Sequence, residues 1–140
     1  MKEQVKEKLG NKIQEWKELS ARRIYFSVDK KDIFEVVKIL FKDLSLRFST
    51  ASAVDTPQGL EIIYHFSFDH SGEFYSVRVF IEDKKNPEVD SITPLFVGAD
   101  WIEREIWEMF GINFKGHPNL KRLLLAEDWP EGEYPLRQKS

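Results

Sequence analysis

The sequence predicts an α+β fold: a small, mostly antiparallel sheet with helices on one face, then a short helix and an extended C-terminal tail. Three observations carry this reading. Two long runs of alternating β-formers, LEIIYHFSFDH (60–70) and EFYSVRVFIED (73–83), flank Ser71-Gly72, which with Asp69 and His70 marks a tight hairpin. Ahead of them, apolar residues recur at helical spacing in two places. Beyond Gly111, Gly and Pro come too often for a core element.

In chain order, Val5, Leu9, Ile13, Trp16 and Leu19 predict a first amphipathic helix, weakened locally by Gly10. RRIYFSVD (22–29) alternates and predicts a strand. Asp29 predicts the N-cap of a second helix whose buried face is Ile33, Val36, Val37, Leu40 and Phe41. LRFSTASAV (46–54) predicts a strand closed by the turn signal DTPQG. After the hairpin, KKNPEVDS (84–91) reads as a loop, and ITPLF as a short extended piece that Pro94 keeps off a sheet centre. Asp100 and Glu103 have the spacing of a capping box at the start of a short helix. Ile102, Ile106, Met109 and Phe110 share one face of that helix, and Gly111 ends it. The predicted organisation is a sheet domain over 1–96 and a motif helix with partner-binding tail over 97–140, together one structural domain.

The 140 residues suffice for one core, and 41% hydrophobic with 14% aromatic content marks a packed protein. A formal charge of −3, with basic residues spread along the chain, lacks the basic footprint of a nucleic-acid binder. There is no cysteine, which excludes thiol catalysis and cysteine-ligated clusters within this sequence. The charged N-terminus predicts no signal peptide, and no apolar run has the length of a membrane span. Abundant Lys and Glu beside four Asn and four Gln point to a thermophilic source.

Chemistry concentrates in ADWIEREIWEMFGINFKGHPNLKRLLL (99–125). Glu103, Glu105 and Glu108 with His117 are the residue types of a carboxylate–histidine metal or acid–base site. However, Glu103 and Glu105 lie about 200° apart around a helix and cannot share an ion. A second reading is structural: Glu103 caps, Arg104 and Glu108 pair at i,i+4, and Trp107 packs. It leaves unexplained a Pro-punctuated tail carrying aromatics and arginine, the composition of binding anchors. A small metal-dependent enzyme using Glu103, Glu108 and His117 is one alternative. A free-standing module that stacks single-stranded RNA on its sheet is the other.

Residues 103–124 also resemble the signature of the thirty-kilodalton subunit of respiratory complex I. This is the C subunit of bacterial NADH:quinone oxidoreductase, with relatives in membrane-bound energy-converting NiFe hydrogenases. The matching residues are Glu103, Arg104, Glu105, Met109, Phe110, Gly111, Ile112, Phe114, Gly116, His117, Pro118, Asn119, Leu120 and Arg122. Glu108 stands where the family usually has Asp. Ser91, Thr93, Ala99 and Trp101 match the approach to the motif, and EYPLRQ (133–138) resembles the family's Pro-Leu-Arg tail.

The resemblance implies a non-catalytic peripheral-arm subunit without cofactor of its own. It would clamp the large NiFe-hydrogenase-like subunit and through it meet the cluster-bearing small subunit and the membrane arm. It implies no nucleic acid, no direct membrane insertion, and a place at the cytoplasmic face of the membrane. The expected partner-binding residues are Glu103, Arg104, Glu105, Glu108, Phe110, Phe114, His117, Pro118, Asn119, Arg122 and Arg137. His117 is expected to be displayed, and residues 112–140 to be mobile until a partner arrives. The short C-terminus and the composition favour a hydrogenase-type or ferredoxin-driven complex over one specific for NADH.

Overall fold

The computed structural model describes residues 1–120, 130 and 132–137. Ten principal elements follow in order: α1 (Lys2–Leu9), β1 (Ile13–Glu18), β2 (Arg23–Val28), α2 (Ile33–Lys38), β3 (Arg47–Thr56), β4 (Gly59–Phe68), β5 (Glu73–Ile81), β6 (Glu88–Asp90), α3 (Asp100–Phe110) and β7 (Asn113–Lys115). Five strands make one sheet in the order β1-β2-β5-β4-β3, antiparallel except where β2 runs parallel to β5. β6 and β7 form a separate parallel pair.

Period-two alternation decides which face of the sheet is covered. Leu60, Ile62, Tyr64 and Phe66 on β4 and Tyr75, Val77, Val79 and Ile81 on β5 are fully buried. They join Val5 and Leu9 of α1 and Ile33, Val36 and Val37 of α2 in one core. The alternate residues, Ile63 and His65 on β4 and Ser76 and Arg78 on β5, remain half-buried on the other face. The α+β architecture read from sequence is thus the observed one.

Four local readings change. The first helix stops at Leu9, because Gly10 takes φ +53 and the chain then runs extended as β1. Trp16 stacks on Phe26 of β2 at 5.4 Å, while Leu19 is 67% exposed. Cross-strand packing at the sheet edge outweighs the apolar spacing that suggests one long helix. Phe41 is half-buried rather than core, its ring against Phe96 at 4.7 Å. The ITPLF stretch is a turn, with Leu95 N–H on the Ile92 carbonyl at 3.0 Å and Phe96 N–H on that of Thr93 at 3.1 Å. The predicted loop 84–91 contains β6, whose Val89 pairs with Phe114 of β7. The beginning of the expected mobile tail is therefore a strand, held further by Ser91 N–H on the Lys115 carbonyl at 2.8 Å.

Candidate partner-binding site

α3 is the frame of the site. Its N-cap is Ala99, which offers no side-chain bond, so the predicted capping box does not form. Glu103 turns inward instead and is 2% exposed. Its carboxylate accepts from Ser91 Oγ at 2.5 Å, Thr93 Oγ1 at 2.7 Å and the Ile92 N–H at 2.9 Å. Ser91 Oγ accepts in turn from the Thr93 N–H at 3.1 Å. Charge-assisted bonds of this kind are about twice as strong as neutral ones. They fasten the 91–93 segment, and with it the end of β6, to the first turn of α3. Burial pushes the Glu103 carboxyl above its usual range, against the three donors, which pull it down.

At about 100° per residue, Glu103, Ile106 and Phe110 fall within a sector of about 60°, and Glu108 lies about 140° from Glu103. Glu108 is nonetheless only 3% exposed, so α3 is covered on both flanks. Glu103 and Glu108 thus diverge, and with His117 they do not converge on one ion. Among the described residues no cluster of three or more His, Asp or Glu has a metal-holding arrangement. Arg104 and Glu105 are half-exposed on the outer face, and Arg104 and Glu108 each hold a partner within the chain.

His117 is buried rather than displayed, its side chain having no exposed area. Nε2 lies 2.9 Å from Asp100 Oδ1 and 3.2 Å from the Asp100 carbonyl. Nδ1 is within 3.0 Å of the Asn119 N–H, which can only donate, so Nδ1 accepts and Nε2 carries the proton. The imidazole therefore fixes the chain after β7 onto the first residue of α3, leaving Pro118 and Asn119 exposed beside it. Phe110 and Phe114 are core residues, 7% and 2% exposed.

The far end of α3 is held as firmly. Gly111 takes the left-handed φ of +77 and returns its N–H to the Trp107 carbonyl at 2.8 Å. The Tyr134 ring lies so close that a Cβ on Gly111 would meet it at 2.5 Å. Leu136 N–H donates to the Met109 carbonyl at 3.0 Å, and Arg137 donates to the carbonyls of Phe110 at 2.9 Å and Lys84 at 2.6 Å. Arg137 is thus engaged with its own chain, and this part of the tail is packed rather than loose. Arg122 lies outside the described residues.

Of the predicted set, the structure brings Arg104, Glu105, Pro118 and Asn119 to the surface around α3 and turns Glu103, Phe110, Phe114 and the His117 ring inward. Two residues outside that set stand out: Trp101 is 53% exposed and Val97 81% exposed, at and just before the start of the helix.

Residues 26–140 match the family described as respiratory-chain NADH dehydrogenase, 30 Kd subunit. The C subunit of NADH-quinone oxidoreductase from Citrifermentans bemidjiense is 35% identical over 139 residues, covering 96% of this chain and 83% of its own length. The chain spans only 49% of the corresponding C subunit from Nocardioides sp. and 57% of that from Chloroherpeton thalassium. It is 34% identical over 94 residues to the C/D subunit of NADH-quinone oxidoreductase from Bacteroides thetaiotaomicron, covering 65% of this chain and 17% of that one. Among solved structures it resembles a chain of the membrane-bound sulfane sulfur reductase, an archaeal respiratory membrane complex. There the TM-score is 0.85 at 25% identity, over 96% of this chain and 80% of that one. A signature helix braced at both ends from within, the fold and these likenesses agree, and the chain belongs to the family of the respiratory-chain NADH dehydrogenase 30 Kd subunit.

Proposed function

We propose that this chain is a non-catalytic subunit of a complex I-like, membrane-associated respiratory complex, and that it clamps and stabilises the large hydrogenase-type subunit there. The carrying observation is the use made of the signature. Glu103 and His117 are committed to internal bonds that fix α3, whereas Trp101, Glu105, Pro118 and Asn119 are presented outward by the same helix and its flank. Residues held in that way build a rigid surface for recognition rather than a pocket for chemistry. The identity of the partner is supported by the C/D relative. The stretch similar to this chain makes up 17% of that protein, which leaves length for a D-type subunit in the same polypeptide.

Among the described residues no helix is long and apolar enough to cross a membrane, so attachment at the cytoplasmic face would run through the partner. The donor side, whether NADH, ferredoxin or hydrogen, would be set by other subunits. Co-expression with the D-type subunit from the same genome tests this. The expected result is a stable one-to-one complex, and membranes lacking this chain should contain little assembled peripheral arm. A chain that neither binds that subunit nor affects its assembly would overturn the proposal.

A further inference from the structure

Asp55 is the penultimate residue of β3, and its side chain is only 2% exposed. A carboxylate this deep needs cations, and among the described residues Lys84 and Arg137 reach it. Lys84, just past β5, places Nζ 2.5 Å from Oδ1, and the same ammonium donates to the Thr56 carbonyl at 3.0 Å. Arg137 places Nε 3.9 Å from Oδ2, beyond hydrogen-bond range but well within Coulombic reach. The two terminal nitrogens of that guanidinium bond the carbonyls of Phe110 and Lys84. Phe110 is the last residue of α3, where a helix leaves carbonyls without partners and where positive charge is favourable.

One arginine thus ties together the end of β3, the exit of β5, the C-terminus of α3 and the C-terminal segment. Tyr134 on Gly111 and Leu136 on Met109 complete the contact. Neither Asp55 nor Lys84 belongs to the signature. We infer that Asp55 and Lys84 are positioning residues that lock residues 134–137 onto α3 before any partner arrives. Arg137 then acts on its own chain rather than across an interface. The clasp stands on its own geometry; its consequence for assembly rests on the proposed function.

The test uses the full chain in two arms. In the isolated protein, amide hydrogen exchange is followed at Leu136 and Gly111 in wild type, Asp55→Asn, Arg137→Ala and the double variant. Each single change should speed exchange at Leu136 by about tenfold, and the double should add little, because both remove one coupled device. Arg137→Lys, which keeps the charge but loses the fork, should behave like Arg137→Ala and guards against a misfolded Asp55→Asn. In the second arm, both single variants should weaken binding of the D-type subunit by the same factor. Unchanged Leu136 exchange in Asp55→Asn, with binding lost in Arg137→Ala alone, would make Arg137 an interface contact and overturn the inference. If the exchange pattern holds but no variant, wild type included, binds that subunit, the clasp stands and the proposed function fails.

Discussion

Ser91 and Glu103 meet inside the protein, the serine hydroxyl donating to the carboxylate at 2.5 Å with both residues 2% exposed. A glutamate whose spacing suits a helix cap is instead the brace between α3 and the segment that follows β6. Truncating it strands two hydroxyls and the Ile92 N–H without an acceptor, and buried groups left unsatisfied cost about 1–3 kcal/mol each before relaxation. Glu103→Ala should therefore destabilise the chain by about 2–4 kcal/mol, since rotating hydroxyls recover part of the loss. Urea unfolding of the purified protein measures it, and a change below about 0.5 kcal/mol would place the residue among ordinary surface substitutions.

The same carboxyl gives a pH signature. Burial raises its folded-state value above the unfolded one, so the folded protein binds the proton more tightly. Its contribution is then fully present below the unfolded carboxyl value and is lost as pH rises through the folded one. Wild type should exceed Glu103→Gln in stability by more at acidic pH than at neutral pH. Unfolding curves taken at intervals from pH 4 to pH 7 give the slope. A gap that widens toward neutral pH would show that the three donors outweigh desolvation.

His65 has the opposite sense. Its ring is partly buried on β4, stacked on Phe74 at 5.5 Å with Nδ1 3.1 Å from Ser76 Oγ, and burial lowers its pKa. A depressed folded value means the contribution is present above the unfolded histidine value and lost as pH falls through the folded one. NMR titration should find His65 below the ordinary histidine range. His65→Gln should lose less stability than wild type between neutral pH and the folded-state value.

Gly111 is constrained twice, by φ +77 and by the ring of Tyr134. Gly111→Ala should cost about 1–3 kcal/mol through the left-handed backbone alone, with a further loss from displacing the ring. Gly111→Asn relieves the first constraint, since Asn tolerates that conformation, but keeps the second. Adding Tyr134→Ala to Gly111→Asn should therefore add much less destabilisation than Tyr134→Ala adds to wild type. Strict additivity in denaturant melts would mean the two residues do not touch.

The parts of this fold that are legible in the sequence are those where one local signal dominates. The β4–β5 hairpin announces itself by alternation and a turn, and Gly111 by its place after an apolar helix face. β1 reads as helix because Ile13, Trp16 and Leu19 keep a helical period. In the strand only Ile13 and Trp16 are half-buried, a register shift between Ile13 and Glu15 accommodating their odd spacing. Leu19 lies beyond the strand, so pairing with β2 decides. β6 and β7 are three residues each and gain their identity from one another, which no local window reveals. The inward turn of Glu103 and the burial of His117 depend on Ser91, Thr93 and Asp100 arriving from elsewhere in the chain. The motif is recognisable from sequence, but not which of its residues brace the helix from within.

That division between inward and outward residues sets the last prediction. Trp101 is over half exposed, so its removal should barely change the free chain, by about 0.5 kcal/mol or less. Large exposed aromatics are also the commonest binding anchors, with truncation costing about 2 kcal/mol or more at an interface. Trp101→Ala should accordingly fold like wild type yet bind the D-type subunit roughly 30-fold more weakly, each 1.4 kcal/mol being about tenfold in affinity. Phe110→Ala is the contrasting variant. It removes a core ring and should cost about 3–5 kcal/mol of stability in the free chain, with binding lost only through unfolding. Calorimetric binding beside thermal melts separates the two. Equal affinity of Trp101→Ala and wild type would move the gripping surface away from the start of α3, toward the exposed Pro118 and Asn119.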